Sequence, residues 1–166
     1  IVGAINEDSG ANGSGDASNS GAAYIFKNVN GTWGTANGSV YNETQILKAS
    51  NAGASDKFGY SVAITDNWAI VGATGEDSDA GAAYIFKNVS GTWGTANGSV
   101  YNETQMLKAS NASASYGFGR SVSITDNWTI VGSLGENTDA NGSGTSNTLA
   151  GAAYIFKNNG NTWGSS

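Results

Sequence analysis

Short runs with apolar side chains at both odd and even positions punctuate this chain, and polar, glycine-rich stretches separate them. Val62/Ile64, Ala83/Ile85 and Tyr84/Phe86 put apolar groups on both faces of extended segments, so the strands they predict are covered on both sides. Four strands are predicted in the middle of the chain, Ser61–Thr65, Trp68–Ala73, Gly81–Lys87 and Thr104–Ala109. Only Asp66-Asn67 joins the first two, which predicts an antiparallel hairpin with a type I′ turn, since Asp and Asn tolerate positive φ. Asn30-Gly31 predicts another hairpin turn, and Asn37-Gly38 a small additional hairpin.

The pattern then repeats. Phe58-Gly59-Tyr60-Ser61-Val62 returns as Phe118-Gly119-Arg120-Ser121-Val122, and Tyr41-Asn42-Glu43-Thr44-Gln45 returns at Tyr101, each 60 positions on. Gly81-Ala82-Ala83-Tyr84-Ile85-Phe86-Lys87 also begins at Gly21 and Gly151, and Ile70-Val71-Gly72 also begins at Ile1 and Ile130. Self-similarity of this kind means one supersecondary unit stacked on its neighbours. The expected units are residues 1–50, lacking a first strand; 51–110, complete; and 111–166, lacking a last strand. Small residues (Ser61, Ala63, Ala69, Gly72, Ala73) gather in the first two strands, whereas Tyr84, Phe86 and Trp93 lie further on. That taper fits a β-propeller blade of four antiparallel strands with Ser61–Thr65 innermost. The fold class expected is therefore all-β, about two and a half propeller-type blades. Strands in groups of three, four and three cannot close a ring, so further blades of a longer chain or other copies of this one are the expected partners. Copies would join by strand addition at open edges.

In order and spacing, Phe58-Gly59-x-Ser61-Val62-Ala63, Ile70-Val71-Gly72-Ala73 and Gly81-Ala82-Ala83-Tyr84-Ile85-Phe86 resemble the FG-GAP repeats of integrin α-subunit propellers and of many bacterial and archaeal secreted proteins. The resemblance implies an extracellular β-propeller. Two features depart from the integrin pattern. Its calcium loop lies between the first and second strands, where this chain has only Asp66-Asn67 or Asp126-Asn127, too short to wrap an ion. The segment Gly94 to Asn102, with its twin Gly34 to Asn42, resembles an insertion before the outermost strand.

Composition narrows the chemistry. With 25 glycines and no proline, short strands and tight turns are favoured over long helices. No cysteine or histidine is present, which removes disulfides, the usual zinc sites and histidine-activated nucleophiles. The net charge of −6 comes with no basic cluster, which argues against nucleic acid as a partner. No apolar run approaches the roughly 18–20 residues of a spanning helix, so membrane insertion is not expected.

Acidic residues concentrate between the second and third strands of each unit. There Asn137-x-Asp139-x-Asn141-Gly142 spaces oxygen ligands as a calcium loop does, and Asp77-x-Asp79-x-Gly81 is a shorter version. Thr148 stands where that pattern needs glutamate, and the same residues also read as an Asx-rich turn. Calcium is the one cofactor the sequence suggests. Glu76 with Asp79 is the only carboxylate pair offered for glycosidase-like chemistry, with nothing nearby to mark a catalytic pocket. Trp33, Trp93 and Trp163 share one repeat position and Trp68 and Trp128 another, an arrangement suited to packing between blades and also to stacking on sugars.

Half of the 20 asparagines open an Asn-x-Ser/Thr sequon: Asn12, Asn30, Asn37, Asn42, Asn88, Asn97, Asn102, Asn111, Asn127 and Asn141. Most fall in predicted turns or in the inserted segment, where a glycan could project. The sequence thus predicts a glycosylated extracellular or cell-surface protein, not an enzyme, with a structural or adhesive role toward an extracellular protein or glycan. The alternative is a carbohydrate-active enzyme or sugar-binding lectin on the same scaffold.

Overall fold

The computed structural model describes residues 1–138 and 149–164. They form an all-β protein with three larger, propeller-type sheets and two separate two-stranded hairpins. The first unit supplies β1 (Val2–Ala4), β2 (Ala22–Ile25), β3 (Asn28–Val29), β4 (Thr32–Trp33), β5 (Thr35–Asn37), β6 (Val40–Asn42) and β7 (Gln45–Lys48). The second supplies β8 (Phe58–Ile64), β9 (Trp68–Ala73), β10 (Ala82–Val89), β11 (Thr92–Trp93), β12 (Thr95–Asn97), β13 (Val100–Asn102) and β14 (Gln105–Leu107). The third supplies β15 (Phe118–Ile124), β16 (Trp128–Ser133), β17 (Ala152–Asn158) and β18 (Trp163–Gly164). In the second unit the order runs β8-β9-β10, with β14 and β11 both on the outer side of β10, so β8 is innermost as the taper predicts.

Both faces of this middle sheet are buried. Ala69, Val71, Tyr84 and Phe86 pack with Ala23, Ile25 and Leu47 of the first unit. Trp68, Ile70 and Ile85 pack with Phe118, Val131 and Trp163 of the third. The apolar residues at successive positions therefore belong to two different cores, one on each side of the blade. Phe58 stands edge-on to Tyr84 and Phe86, with centroids 5.3 and 6.1 Å away, and Phe118 repeats this with Tyr154 and Phe156. The glycines of the motif allow the units to approach. A Cβ on Gly72 would lie 2.0 Å from the Gly119 carbonyl oxygen, and the Ser61 hydroxyl donates to that same oxygen at 2.7 Å.

Two features differ from the sequence expectation. Asp66 and Asn67 do join an antiparallel β8–β9 hairpin, but neither adopts positive φ, so the turn is not type I′. Thr65 dictates the geometry instead, because its hydroxyl accepts the Asn67 and Trp68 amides at 3.3 and 3.1 Å. Asn30-Gly31, by contrast, has both residues at positive φ, as a type I′ turn requires. The second difference concerns the inserted hairpins. Both form as predicted, yet β13 pairs in parallel with β7 of the preceding unit, Tyr101 opposite Leu47 and Asn102 opposite Lys48. The insertion of one unit is thus a clasp on its neighbour's outer edge.

Candidate functional site

The loops after β1, β9 and β16 meet those before β8 and β15 at one end of the sheets. Glu7, Glu76 and Glu136 occupy one repeat position there, six residues after Ile1, Ile70 and Ile130. Glu76 and Glu136 are buried and Glu7 is half-buried. Asn51 Nδ2 donates to Glu76 at 2.7 Å, and the Tyr84 hydroxyl lies 3.0 Å from Asn51 Oδ1 and 3.2 Å from Glu76 Oε2. Lys108 is 3.6 Å from the same carboxylate. Asn111 repeats the bridge, donating to Glu136 at 2.9 Å and accepting from the Tyr154 hydroxyl at 2.6 Å, with Thr138 donating to Glu136 in place of the lysine. In the first unit the ammonium of fully buried Lys48 satisfies Glu7, Ser20 Oγ and the Gly21 carbonyl.

These surroundings separate the acids electrostatically. Burial and the nearby Asp56 charge raise the Glu76 carboxyl above its ordinary value. Burial also acts upward on Glu7, but bonds from Lys48 and Ser9 outweigh it and the net shift is downward. Burial and the Glu76 charge push the Tyr84 phenol far above the usual tyrosine range. Each glutamate is thus spent on closing the hydrogen-bond account of a buried loop.

Beside this network lies a cleft of about 460 Å³ that reaches all three units, lined by Lys57, Tyr60, Asp79, Tyr116, Arg120 and Leu134 among others. Tyr60 and Arg120 occupy the same repeat position, the x of Phe-Gly-x-Ser, and the Arg120 guanidinium stands 4.9 Å from the Tyr60 ring centroid. Lys57 is 3.9 Å from Asp79, whose carboxylate is mostly exposed. Among the described residues Arg120 has no carboxylate partner.

Most residues singled out from sequence do not converge. Asp77 and Asp79 point to different lysines, Lys108 and Lys57, rather than to one shared centre. Among the described residues no group of three or more acidic side chains is placed to hold a metal. Asn137 Oδ1 accepts the Leu149 amide, while Asp139 and Asn141 lie outside the described residues. Glu76 and Asp79 are likewise divided between the buried network and the cleft rim. Of the sequon asparagines, Asn12, Asn30, Asn37, Asn42, Asn97, Asn111 and Asn127 are exposed. Asn102 differs from them: it is 8% exposed and its Nδ2 donates to the Ala11 and Lys48 carbonyls, both at 3.0 Å, so a glycan there would break the clasp. Nδ2 is also engaged in Asn88, Asn97 and Asn111.

Sequence reasoning missed the cleft and the Asn–Glu–Tyr network. Their signals were present as the chain's one arginine inside the repeated motif and as an asparagine following Lys-Ala-Ser in both copies.

A model of the FG-GAP repeat matches residues 41–86 and 101–156, more than half of the chain. The chain belongs to the FG-GAP repeat family. No curated protein matches it. The first FG-GAP match runs from β6 to within β10, so the family unit takes the outer strand of one sheet and the inner strands of the next. Within it lie Phe58, Gly59 and the Asn51–Glu76–Tyr84 network. FG-GAP repeats are typical of surface proteins, and among the described residues no helix is long and apolar enough to cross a membrane.

Proposed function

We propose that this FG-GAP chain is an extracellular, cell-surface adhesion module that binds an acidic glycan at the loop end of its blades. The cleft carries this reading: two tyrosines and two cations gather where three units meet, in a protein of net charge −6. Tyrosine faces suit the apolar faces of sugar rings, and a planar guanidinium suits the carboxylate of a uronic acid. The buried glutamates have a different role, holding the loops that shape the cleft. The exposed sequons on β3–β6 and at Asn127 lie away from the cleft lining and leave room for N-glycans there.

Titration calorimetry with oligouronates, set against neutral oligosaccharides of the same length, tests this. Uronate binding that falls at least about tenfold in Arg120→Gln is the expected result. Equal binding of neutral sugars, or no uronate binding at millimolar ligand, removes the reading.

A further inference from the structure

Three groups that can react with one another meet at the loop end of the second unit. Asn51 Nδ2 and the Lys108 ammonium approach the same oxygen of Glu76, at 2.7 and 3.6 Å. An amide and an amine thus share one carboxyl, and the Tyr84 hydroxyl donates to the amide oxygen of Asn51 at 3.0 Å. Glu76 is 5% exposed and Tyr84 is fully buried, so the fold fixes both groups before any bond changes. Asn51 belongs to the connection after β7 and Lys108 directly follows β14, so only the folded blade brings them together.

We infer that Lys108 and Asn51 form an intramolecular isopeptide bond, with Glu76 carrying the proton and Tyr84 polarising the amide. The uncharged Lys108 amine attacks Asn51 Cγ, and the Nζ–Cγ bond forms as electrons move onto Oδ1, where the Tyr84 hydroxyl meets the developing charge. Glu76 takes the proton from Nζ and passes it to Nδ2. The Cγ–Nδ2 bond then breaks, ammonia leaves and the carbonyl is restored, so no oxidant or further reactant is needed. Charge around the amine sets the pace. Lys108 is paired with Asp77 and Glu76, and the bond to Asp77 raises the lysine above its ordinary value, so at neutral pH nearly all of it is ammonium. Asp56 and Asp77 also face Glu76, and the Tyr84 phenol stays protonated beside it. The folded chain therefore starts unlinked, as in the structure, and links slowly at neutral pH and faster as pH rises toward the lysine's range. Once formed, the bond holds β8 to β14, every strand of the second unit, inside one covalent loop. None of Asn51, Glu76 and Lys108 lines the Arg120 cleft, so linking and glycan binding are separate properties.

Intact mass and peptide mapping of the 166-residue chain, followed over days at about pH 9, test it. The wild type should lose about 17 Da, one ammonia, and yield a branched peptide joining Asn51 to Lys108. Lys108→Arg keeps the charge but not the nucleophile, and should keep its full mass with an unchanged far-ultraviolet spectrum; wild type unfolded in urea should keep its mass too. Asp77→Asn releases the amine and should link at least about threefold faster. No mass loss in the folded wild type, a loss that persists in Lys108→Arg or in urea (the mark of a cyclic imide at Asn51-Ala52), or an unchanged rate in Asp77→Asn overturns the inference.

Discussion

Glu7 and Glu76 occupy one repeat position, yet their carboxyls are shifted in opposite directions, because both are desolvated but only Glu7 has bonds from Lys48 and Ser9 that outweigh the burial. The native state holds Glu76 above the ordinary 4.5, so the native state binds its proton more tightly than the unfolded chain does. Stability from that group is present at low pH and is lost as pH rises from 4.5 through the raised value. Glu7 is depressed, so its contribution is present above 4.5 and is lost as pH falls through the lowered value. In melting curves from acid to neutral pH, Glu76→Gln should gain stability relative to wild type as pH rises, and Glu7→Gln should lose it; slopes of one sign for both variants would refute the argument. Lys48→Met leaves Glu7 without its cation in a buried loop and should cost about 3 kcal/mol in urea unfolding, whereas Lys108→Met, nearer to solvent, should cost about 1 kcal/mol or less. The residue chemistry was legible only in part. The repeated glutamates are plain in the sequence, but their role depends on Asn51 and Asn111, which lie 25 residues away and are brought in by the blade connection.

The β-strands themselves were the most legible feature, because alternation and repetition specify them locally. What sequence alone does not show is the partner of an edge. The segment Thr95 to Gln105 is identical to Thr35 to Gln45, yet β12–β13 is clasped onto β7 while β5–β6 pairs only within itself. Composition cannot separate two copies of one sequence, and position in the stack does. The clasp rests on parallel pairing, the two bonds from Asn102 Nδ2, and Glu103 accepting the Ser50 amide and hydroxyl at 2.9 and 2.6 Å. Asn102→Ala should therefore destabilise the protein by about 2 kcal/mol, and its twin Asn42→Ala by less than about 0.5 kcal/mol. Equal effects in denaturant titrations would mean that the clasp does not stabilise the native state. Gly72→Ala tests the close approach of the second and third units, since its Cβ would meet the Gly119 backbone, which cannot move aside as the Ser61 hydroxyl beside it can. A loss of about 2–3 kcal/mol is expected there.

For the whole molecule, outer surface and loop end divide the work: exposed sequons lie on hairpins and turns, and the cleft gathers cations and tyrosines. In material expressed with N-glycosylation, site mapping should find sugar on exposed asparagines such as Asn30, Asn37 and Asn127 and none on Asn102, and occupied Asn102 would contradict the buried clasp. The blade architecture followed from taper and repetition, whereas the cleft did not, because Lys57, Tyr60, Tyr116 and Arg120 converge only once the units are stacked. The family unit is also out of phase with the sheets, spanning the outer strand of one and the inner strands of the next. A tandem duplication of 60 codons in this gene would therefore copy a complete joint along with the strands. The array could lengthen by recombination without any new surface having to evolve a fit.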